Sequence, residues 1–391
     1  MSNIDSLIKE LCPNGVEFVP LEQCCNILDK KRKPVTKAAR EAGEYPYYGA
    51  NGIQDYVADY IFDGTFILVG EDGSVITKSG TPVVTWAEGK IWVNNHAHII
   101  EEKDGVMLRY LYHYLQTIDV TPLIHGNIPK LTGGDFKALK IAVPPLEVQR
   151  EIVRVLDSFT LLTAELTAEL TARRKQYEFY RDQLLSFADA QGGAQTDVTW
   201  LPLSEVFTMR NGYTPSKANK SFWEGGSIPW FRMEDIRENG RILSDSIQHI
   251  TPEAVKGKLF PANSIILATT ATIGEHALII ADSLANQRFT FFTKCKSLEN
   301  KLDMKFAFYY FFKIDEWCKQ NTNVSSFPSV DMPKLKKYMF PIPPIERQRE
   351  IVAILDRFDA LCNDISEGLP AEIEARQKQY EYYRDKLLSF N

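Results

Sequence analysis

The chain has 391 residues, room for two or more domains, and its 44% apolar and 25% charged content is that of a globular protein, not a disordered one. The formal charge of −6, from 45 basic and 51 acidic residues, argues against a small nucleic-acid-coating protein. No apolar run approaches the ~18 residues of a membrane helix, and Met1–Leu11 lacks the apolar core of a signal peptide. The six cysteines show no CxxC pair, so no zinc ribbon or disulfide framework is indicated and a reducing cytoplasm is expected.

Residues 1–143 form the first block, with 14 basic and 18 acidic residues. Strand-like runs at Phe66–Val69, Val83–Trp86 and Ile91–Val93 alternate with Gly/Asn/Asp turns, and an aromatic helical stretch follows at Met107–Gln116. Residues 144–187 then read as one long helix: Pro-Pro precedes it, and no Gly or Pro interrupts Leu146–Phe187. Its apolar positions step by four and three from Val148 through Ile152, Val155, Phe159, Leu162 and Leu166. One extra step of four leads to Leu170, and the rhythm resumes to Phe187, a heptad seam with a single stutter. The stutter coincides with a tandem TAEL at Thr163–Leu166 and Thr167–Leu170. Four residues advance a helix by ~6 Å and rotate its apolar face by only ~40°, so the unit acts as a length adjuster.

A small, polar, glycine-containing linker spans residues 188–199, and the second block covers 200–342; linker and block together, 188–342, carry 18 basic and 16 acidic residues. Strand-like runs lie at Ser264–Ala268 and Arg288–Thr293, with an aromatic helix at Met304–Lys319. Both blocks open alike, Phe18–Glu22 as FVPLE and Trp200–Ser204 as WLPLS. Residues 343–391 form a second spacer helix, where Gly368 and Pro370 predict a kink or a brief break.

The two helical segments are an internal repeat. PPLEVQREIVRVLDSF at Pro144–Phe159 returns as PPIERQREIVAILDRF at Pro343–Phe358, and ARRKQYEFYRDQLLSF at Ala172–Phe187 as ARQKQYEYYRDKLLSF at Ala375–Phe390. The layout is block, helix, block, helix.

A search for catalytic motifs finds none. GxxxxGK[ST], a GxGxxG after a strand and the [DN]PP[FYW] motif of amino-methyltransferases are all missing from the sequence. Asp72 with Glu88-Gly89-Lys90 loosely fits a metal-dependent nuclease, but a hairpin turn between two strands is the ordinary reading of Glu88–Lys90. His96 and His98 share a strand face without a third ligand at characteristic spacing, so they read as satisfied histidines beside a sheet and no metal site is assigned.

Residues suited to base edges and phosphates are more telling as a set. In the first block Lys31 and Arg32 lie in a basic run, Tyr48 and Asn51 follow, with Gln54 beside them, and His125, Asn127 and Lys130 stand near its end. The second block has Arg210, Asn211, Tyr213, Lys217, Lys220, Arg232 and Arg288, the last within Asn286-Gln287-Arg288, and a Ser325-Ser326 loop.

With its two spacer repeats, the chain closely resembles the specificity subunit of type I restriction–modification enzymes, and the tandem TAEL resembles the IC subclass. The resemblance implies two α/β (α+β) target-recognition domains joined by two long antiparallel coiled-coil helices in a pseudo-two-fold arrangement. Each domain would read one half of a bipartite site in double-stranded DNA, with TAEL copy number setting the gap. The helices would dock two modification subunits, for which Tyr177, Phe179, Tyr382 and Arg384 are candidates. Restriction subunits would join through the complex. S-adenosylmethionine, ATP and magnesium are expected on those partners and no cofactor on this non-catalytic chain. A stand-alone nucleic-acid-modifying enzyme and a purely protein-binding scaffold are the alternatives.

Overall fold

A computed structural model describes residues 2–73, 75–187, 197–323, 328–364 and 366–390. Most of the linker, residues 188–196, and the Ser325-Ser326 loop lie outside the described residues. The chain divides into two compact units, one of residues 1–168 with 371–391, the other of 169–370.

The first unit holds a six-stranded mixed sheet ordered Asn26–Ile27, Ala97–Glu101, Phe62–Gly70, Val84–Val93, Ala42–Gly49, Gly52–Val57. Phe62–Gly70 is central, and alternation sends its side chains into two cores. Ile67 and Val69 pack with Tyr110, Leu111 and Leu115 of the helix Leu108–Leu115, whereas Phe66 and Leu68 pack with Ile91, Val93 and Ile99. Glu88–Lys90 is not a turn. It lies inside the unbroken strand Val84–Val93, with Glu88 opposite Thr65, while Asp72 lies beyond the far end of the strand Phe62–Gly70. That places Asp72 and Glu88 on the order of 15–20 Å apart along the sheet, too far to share a metal.

The second unit repeats the plan. Phe207–Asn211, Phe289–Lys294, Ser264–Ala268, His276–Ile279 and Ile242–Leu243 form one sheet, and His249–Ile250, Ile228–Phe231 and Leu284–Ala285 a second. Ile265 and Leu267 face the aromatic helix Met304–Gln320, while Ile266 and Ala268 face the opposite core. Asp303 caps that helix, accepting from the amides of Lys305 (2.7 Å) and Phe306.

Each block closes on a short antiparallel ribbon. Glu17–Pro20 pairs with Lys140–Val143, and Thr199–Pro202 with Met339–Ile342. The chain then enters its spacer helix. Leu146–Leu184 is one helix of 39 residues, about 58 Å long and three residues shorter than the pattern predicts. The boundary between the units falls at Ala168/Glu169, inside the second TAEL.

The second copy is two helices, Ile345–Asn363 and Leu369–Leu388, with the break at the place where Gly368 and Pro370 predict it. Asp364 stops the first by accepting from the amides of Ser366 and Glu367. Gly368 completes the break, because a Cβ there would lie 2.6 Å from the carbonyl oxygens of Ala360 and Asp364.

Helix packing within each unit follows the seam. In the first unit Phe159 stacks on Tyr383 (5.2 Å), and in the second Phe358 stacks on Tyr180 (5.6 Å) and Tyr177 (6.3 Å).

Two buried repeat residues attach each block to its helix in the same way. Gln149 accepts from the Met107 amide (2.9 Å) and donates to the carbonyls of Gly105 and Pro144; Gln348 accepts from the Asp303 amide (2.8 Å) and donates to those of Lys301 and Pro343. Eight residues on, Asp157 receives Arg109 and His113, both at 2.8 Å, and Asp356 receives Lys305 (2.7 Å) and Tyr309 (2.6 Å). Burial opposes the Asp157 charge, but the bonds from His113 and Arg109 outweigh it and hold this carboxyl below its ordinary range.

Candidate nucleic-acid interface

In the first unit, the loop after Phe62–Gly70 runs beside the hairpin Ile124–His125/Lys130–Leu131, with Asp72 bridged to Lys130. Between them and the turn Gly49–Gly52 opens a groove of about 560 Å³ lined by Asn51, Gln54, Asp72, His96, Ile128 and Lys130. Two sequence candidates, Asn51 and Lys130, therefore meet, and both are exposed. Lys130 Nζ is 3.4 Å from Glu71 Oε1, and His96 Nδ1 is bonded to Asp72. Ile128, at the hairpin tip, is 69% exposed, the side of the groove that water would rather not wet. His125 is on the same hairpin, 3.4 Å from Asp135. The groove presents donors, acceptors and one apolar tip, the chemistry that reads base edges.

Other candidates in this unit are committed elsewhere. Arg32 Nη1 lies 2.7 Å from Glu71 and 2.6 Å from the Ala97 carbonyl, and its Nε bonds the Asp29 carbonyl, so this arginine is a structural tie and not a free DNA contact. Tyr48 is 7% exposed and packs in the core with Phe62 and Ile91, because its strand position faces inward; it is withdrawn from the interface. Lys31 is exposed at the end of a short 3₁₀ turn.

Asp29, Glu71 and His98 bring donor atoms within 4.8 Å of one another, a set that a metal could use. Arg32 already fills it as the cation. His98 is satisfied on both nitrogens, by Asp29 (2.6 Å) and the Leu131 carbonyl (3.2 Å). Burial opposes the Asp29 charge, but His98, the Ile99 amide and Arg32 together carry its carboxyl below the ordinary range. The two histidines do not share a strand face as the sequence suggests: His96 lies just before the strand Ala97–Glu101 and is exposed at the groove, whereas His98 is buried on the strand.

In the second unit the strand ends bring Asn211, Arg232 and Arg288 to one rim. Asn211 accepts from Thr290 Oγ1 (2.9 Å), which lies 3.0 Å from Thr269 Oγ1, and Thr214 donates to Gln287. The Asn286 amide bonds the Phe231 carbonyl next to Arg232. Arg232 Nε is buried without a hydrogen-bond partner. Arg210 points to the other face, over Phe260 (4.3 Å) and toward the Lys258 carbonyl. Tyr213 is a structural tie, its hydroxyl donating to the Ala254 carbonyl and accepting from the Lys256 amide. Lys217 and Lys220 are exposed on the segment leading into the turn Lys220–Phe222.

The docking candidates also separate. Phe179 and Tyr382, equivalent in the repeat, are 63% and 60% exposed. Tyr177 is buried against Phe358 and Arg181, with its hydroxyl unpartnered, and burial pushes that hydroxyl up; it is no surface residue. Arg384 lies over the Tyr380 ring and pairs with Asp385, which leaves its side chain 15% exposed.

Fold and grooves together define a duplicated recognition protein, two α+β modules on repeated helices. The model of the type I restriction modification DNA specificity domain matches residues 13–173 and again 196–375, and the chain belongs to that family. It is 41% identical to the EcoR124I/EcoR124II specificity subunit of Escherichia coli, over all of this chain and 98% of that one. It is 34% identical over the full length of both chains to a putative type I restriction enzyme specificity subunit of Haemophilus influenzae. Similarity to the EcoprrI specificity subunit of Escherichia coli reaches 57% but spans half of each chain. Among solved structures, one described under assembly and conformational transition of the type I restriction–modification system shares the fold, with a TM-score of 0.62 at 16% identity over 96% of this chain and 98% of that one. The S subunit from M. genitalium has a TM-score of 0.55, also at 16% identity, over 96% and 97%. The role that follows is DNA sequence specificity in a type I restriction–modification system.

Proposed function

We propose that each block reads one half of a bipartite site in double-stranded DNA, while the repeated helices set the gap and dock two modification subunits. The observation that carries this reading is the duplication of the attachment itself, Gln149 and Asp157 in one unit, Gln348 and Asp356 in the other. Two modules fixed to repeated helices by equivalent bonds suit two DNA segments and two copies of one partner. The off-seam aromatics Phe179 and Tyr382 suit such a partner, since exposed aromatics are enriched at protein interfaces.

The chain itself is non-catalytic in this reading. S-adenosylmethionine, ATP and magnesium belong to the modification subunits and to the restriction subunits that join the complex. The setting is the cytoplasm, and among the described residues no helix is long and apolar enough to cross a membrane. Mapping methylated adenines in DNA from cells carrying the complete system tests the proposal. The expected result is one site with two specified halves and a constant unspecified gap. A contiguous site, or methylation by this chain alone, would overturn it.

A further inference from the structure

The two blocks share little sequence, yet one turn is built by the same four hydrogen bonds in both. In the first unit the Asn94 amide donates to the Tyr48 carbonyl (3.1 Å). Asn94 Oδ1 accepts from the His96 amide (2.8 Å), the His96 carbonyl accepts from the Glu71 amide (2.8 Å), and the Glu71 carbonyl accepts from the Leu131 amide (2.9 Å). In the second unit the Asn286 amide donates to the Phe231 carbonyl (3.1 Å). Asn286 Oδ1 accepts from the Arg288 amide (3.0 Å), the Arg288 carbonyl accepts from the Thr269 amide (2.9 Å), and the Thr269 carbonyl accepts from the Val330 amide (2.9 Å). The neighbouring bridges match as well, Asp72 to Lys130 and Thr270 to Ser329.

Every bond in this turn comes from backbone or from the asparagine. The third residue, His96 or Arg288, supplies only its backbone to the frame, so its side chain is free to vary without disturbing the fold. Both side chains are exposed. His96 opens into the groove with Asn51, Gln54 and Lys130, and its Nδ1 is held by Asp72, which leaves Nε2 for a base edge. Arg288 pairs with no carboxylate among the described residues and stands on the polar rim with Asn211 and Gln287. A rigid frame with one interchangeable, outward side chain is what a reading position requires.

From this juxtaposition we infer that His96 and Arg288 are equivalent specificity-determining residues, one per half-site, with Arg288 reading a guanine through O6 and N7. The inference rests on the proposal that each unit reads one half-site. Its test uses the chain assembled with its modification subunits, a randomised double-stranded DNA library and sequencing of the methylated products. Arg288→Ala should relax one position of one half-site by roughly 5- to 150-fold in discrimination, the range of a lost bidentate contact, and leave the other half-site unchanged. His96→Ala should relax a position in the opposite half-site. Arg288→Gln, which keeps a bidentate edge suited to adenine, should raise adenine over guanine at the position that Arg288→Ala relaxes.

Uniform weakening of all sequences with a flatter salt dependence would make these phosphate contacts and overturn the inference. So would unchanged selectivity in either alanine variant, or relaxation of both variants in the same half-site. If the wild-type assembly itself shows no bipartite selectivity, the proposed function fails and takes this inference with it.

Discussion

Gln149 and Gln348 show how much one buried carboxamide can hold. Each satisfies an amide at the start of a block helix and two carbonyls, of which that of Pro144 or Pro343 is buried, so an alanine there breaks three hydrogen bonds together. Gln149→Ala and Gln348→Ala are each expected to destabilise their own unit by about 2–3 kcal/mol. Hydrogen exchange mapped along the chain should show faster opening in 105–115 for the first and 301–320 for the second. Asp29 has a pH signature instead. Its carboxyl is held below the ordinary value, so its contribution to stability is complete above about pH 4 and is lost as pH falls through the lowered folded value. Thermal melts of Asp29→Asn between pH 7 and pH 3 should show a lower plateau and a shallower acid decline than the parent. Arg32→Ala belongs with this pair: it should lower the melting temperature of the first unit without relaxing any base position, because its guanidinium binds Glu71 and Ala97.

At the scale of elements, the central helix and the broken one have different tasks. Leu146–Leu184 runs unbroken through both TAEL units, and Thr163 and Thr167 bond back to the carbonyls of Phe159 and Thr163, so their hydroxyls need no outside partner. A third TAEL after Leu170 adds ~6 Å with a ~40° rotation, a change that a stuttered seam absorbs. The expected outcome is one extra unspecified base pair with both half-sites unchanged, since part of the length is lost to tilt. Methylome sequencing with the three-copy chain decides it, and methylation only at the original spacing would mean that the helices do not set the gap. Removing the break should be costly. A Cβ at Gly368 meets two carbonyl oxygens at 2.6 Å, so Gly368→Ala should lower stability by about 1–3 kcal/mol in chemical denaturation.

For the whole molecule, modularity is the central expectation. Each block has its own pair of cores on the two faces of its sheet, and each is tied to its helix by its own glutamine and aspartate. Replacing residues 1–143 with the first block of another family member should therefore change one half-site and leave the other intact, as independent sites behave additively. A swap that altered both halves would end the modular picture. Partner stoichiometry is the companion measurement. Phe179 and Tyr382 recur in the two copies of the repeat, so native mass measurement at saturating modification subunit should find two of them per chain. Single Phe179→Ala or Tyr382→Ala substitutions should weaken one of the two binding events, with folding unaffected because both rings stand largely in solvent.

The repeated helices, the uninterrupted TAEL segment and the break near Gly368 were all legible in the sequence, because they rest on local rules. Helical period, glycine and proline act over a few residues, and two copies of one segment reveal themselves by comparison. The duplicated glutamine attachment was visible only as part of the repeat, its purpose hidden until Met107 and Asp303 were seen to meet it. The reading face was decided by tertiary structure. Tyr48 and Asn51 stand three residues apart, yet one is core and the other groove, since Tyr48 lies on the strand Ala42–Gly49 with its ring turned inward and Asn51 in the turn that leads to the strand Gly52–Val57. Arg32 looked free in a basic run, and Glu71, distant in sequence, claims it. His96 and His98 read as neighbours on one strand face, and a turn stitched to Glu71 and Leu131 instead carries His96 to the surface while His98 stays buried. Those partners lie tens of residues apart along the chain, a separation across which no local pattern carries information.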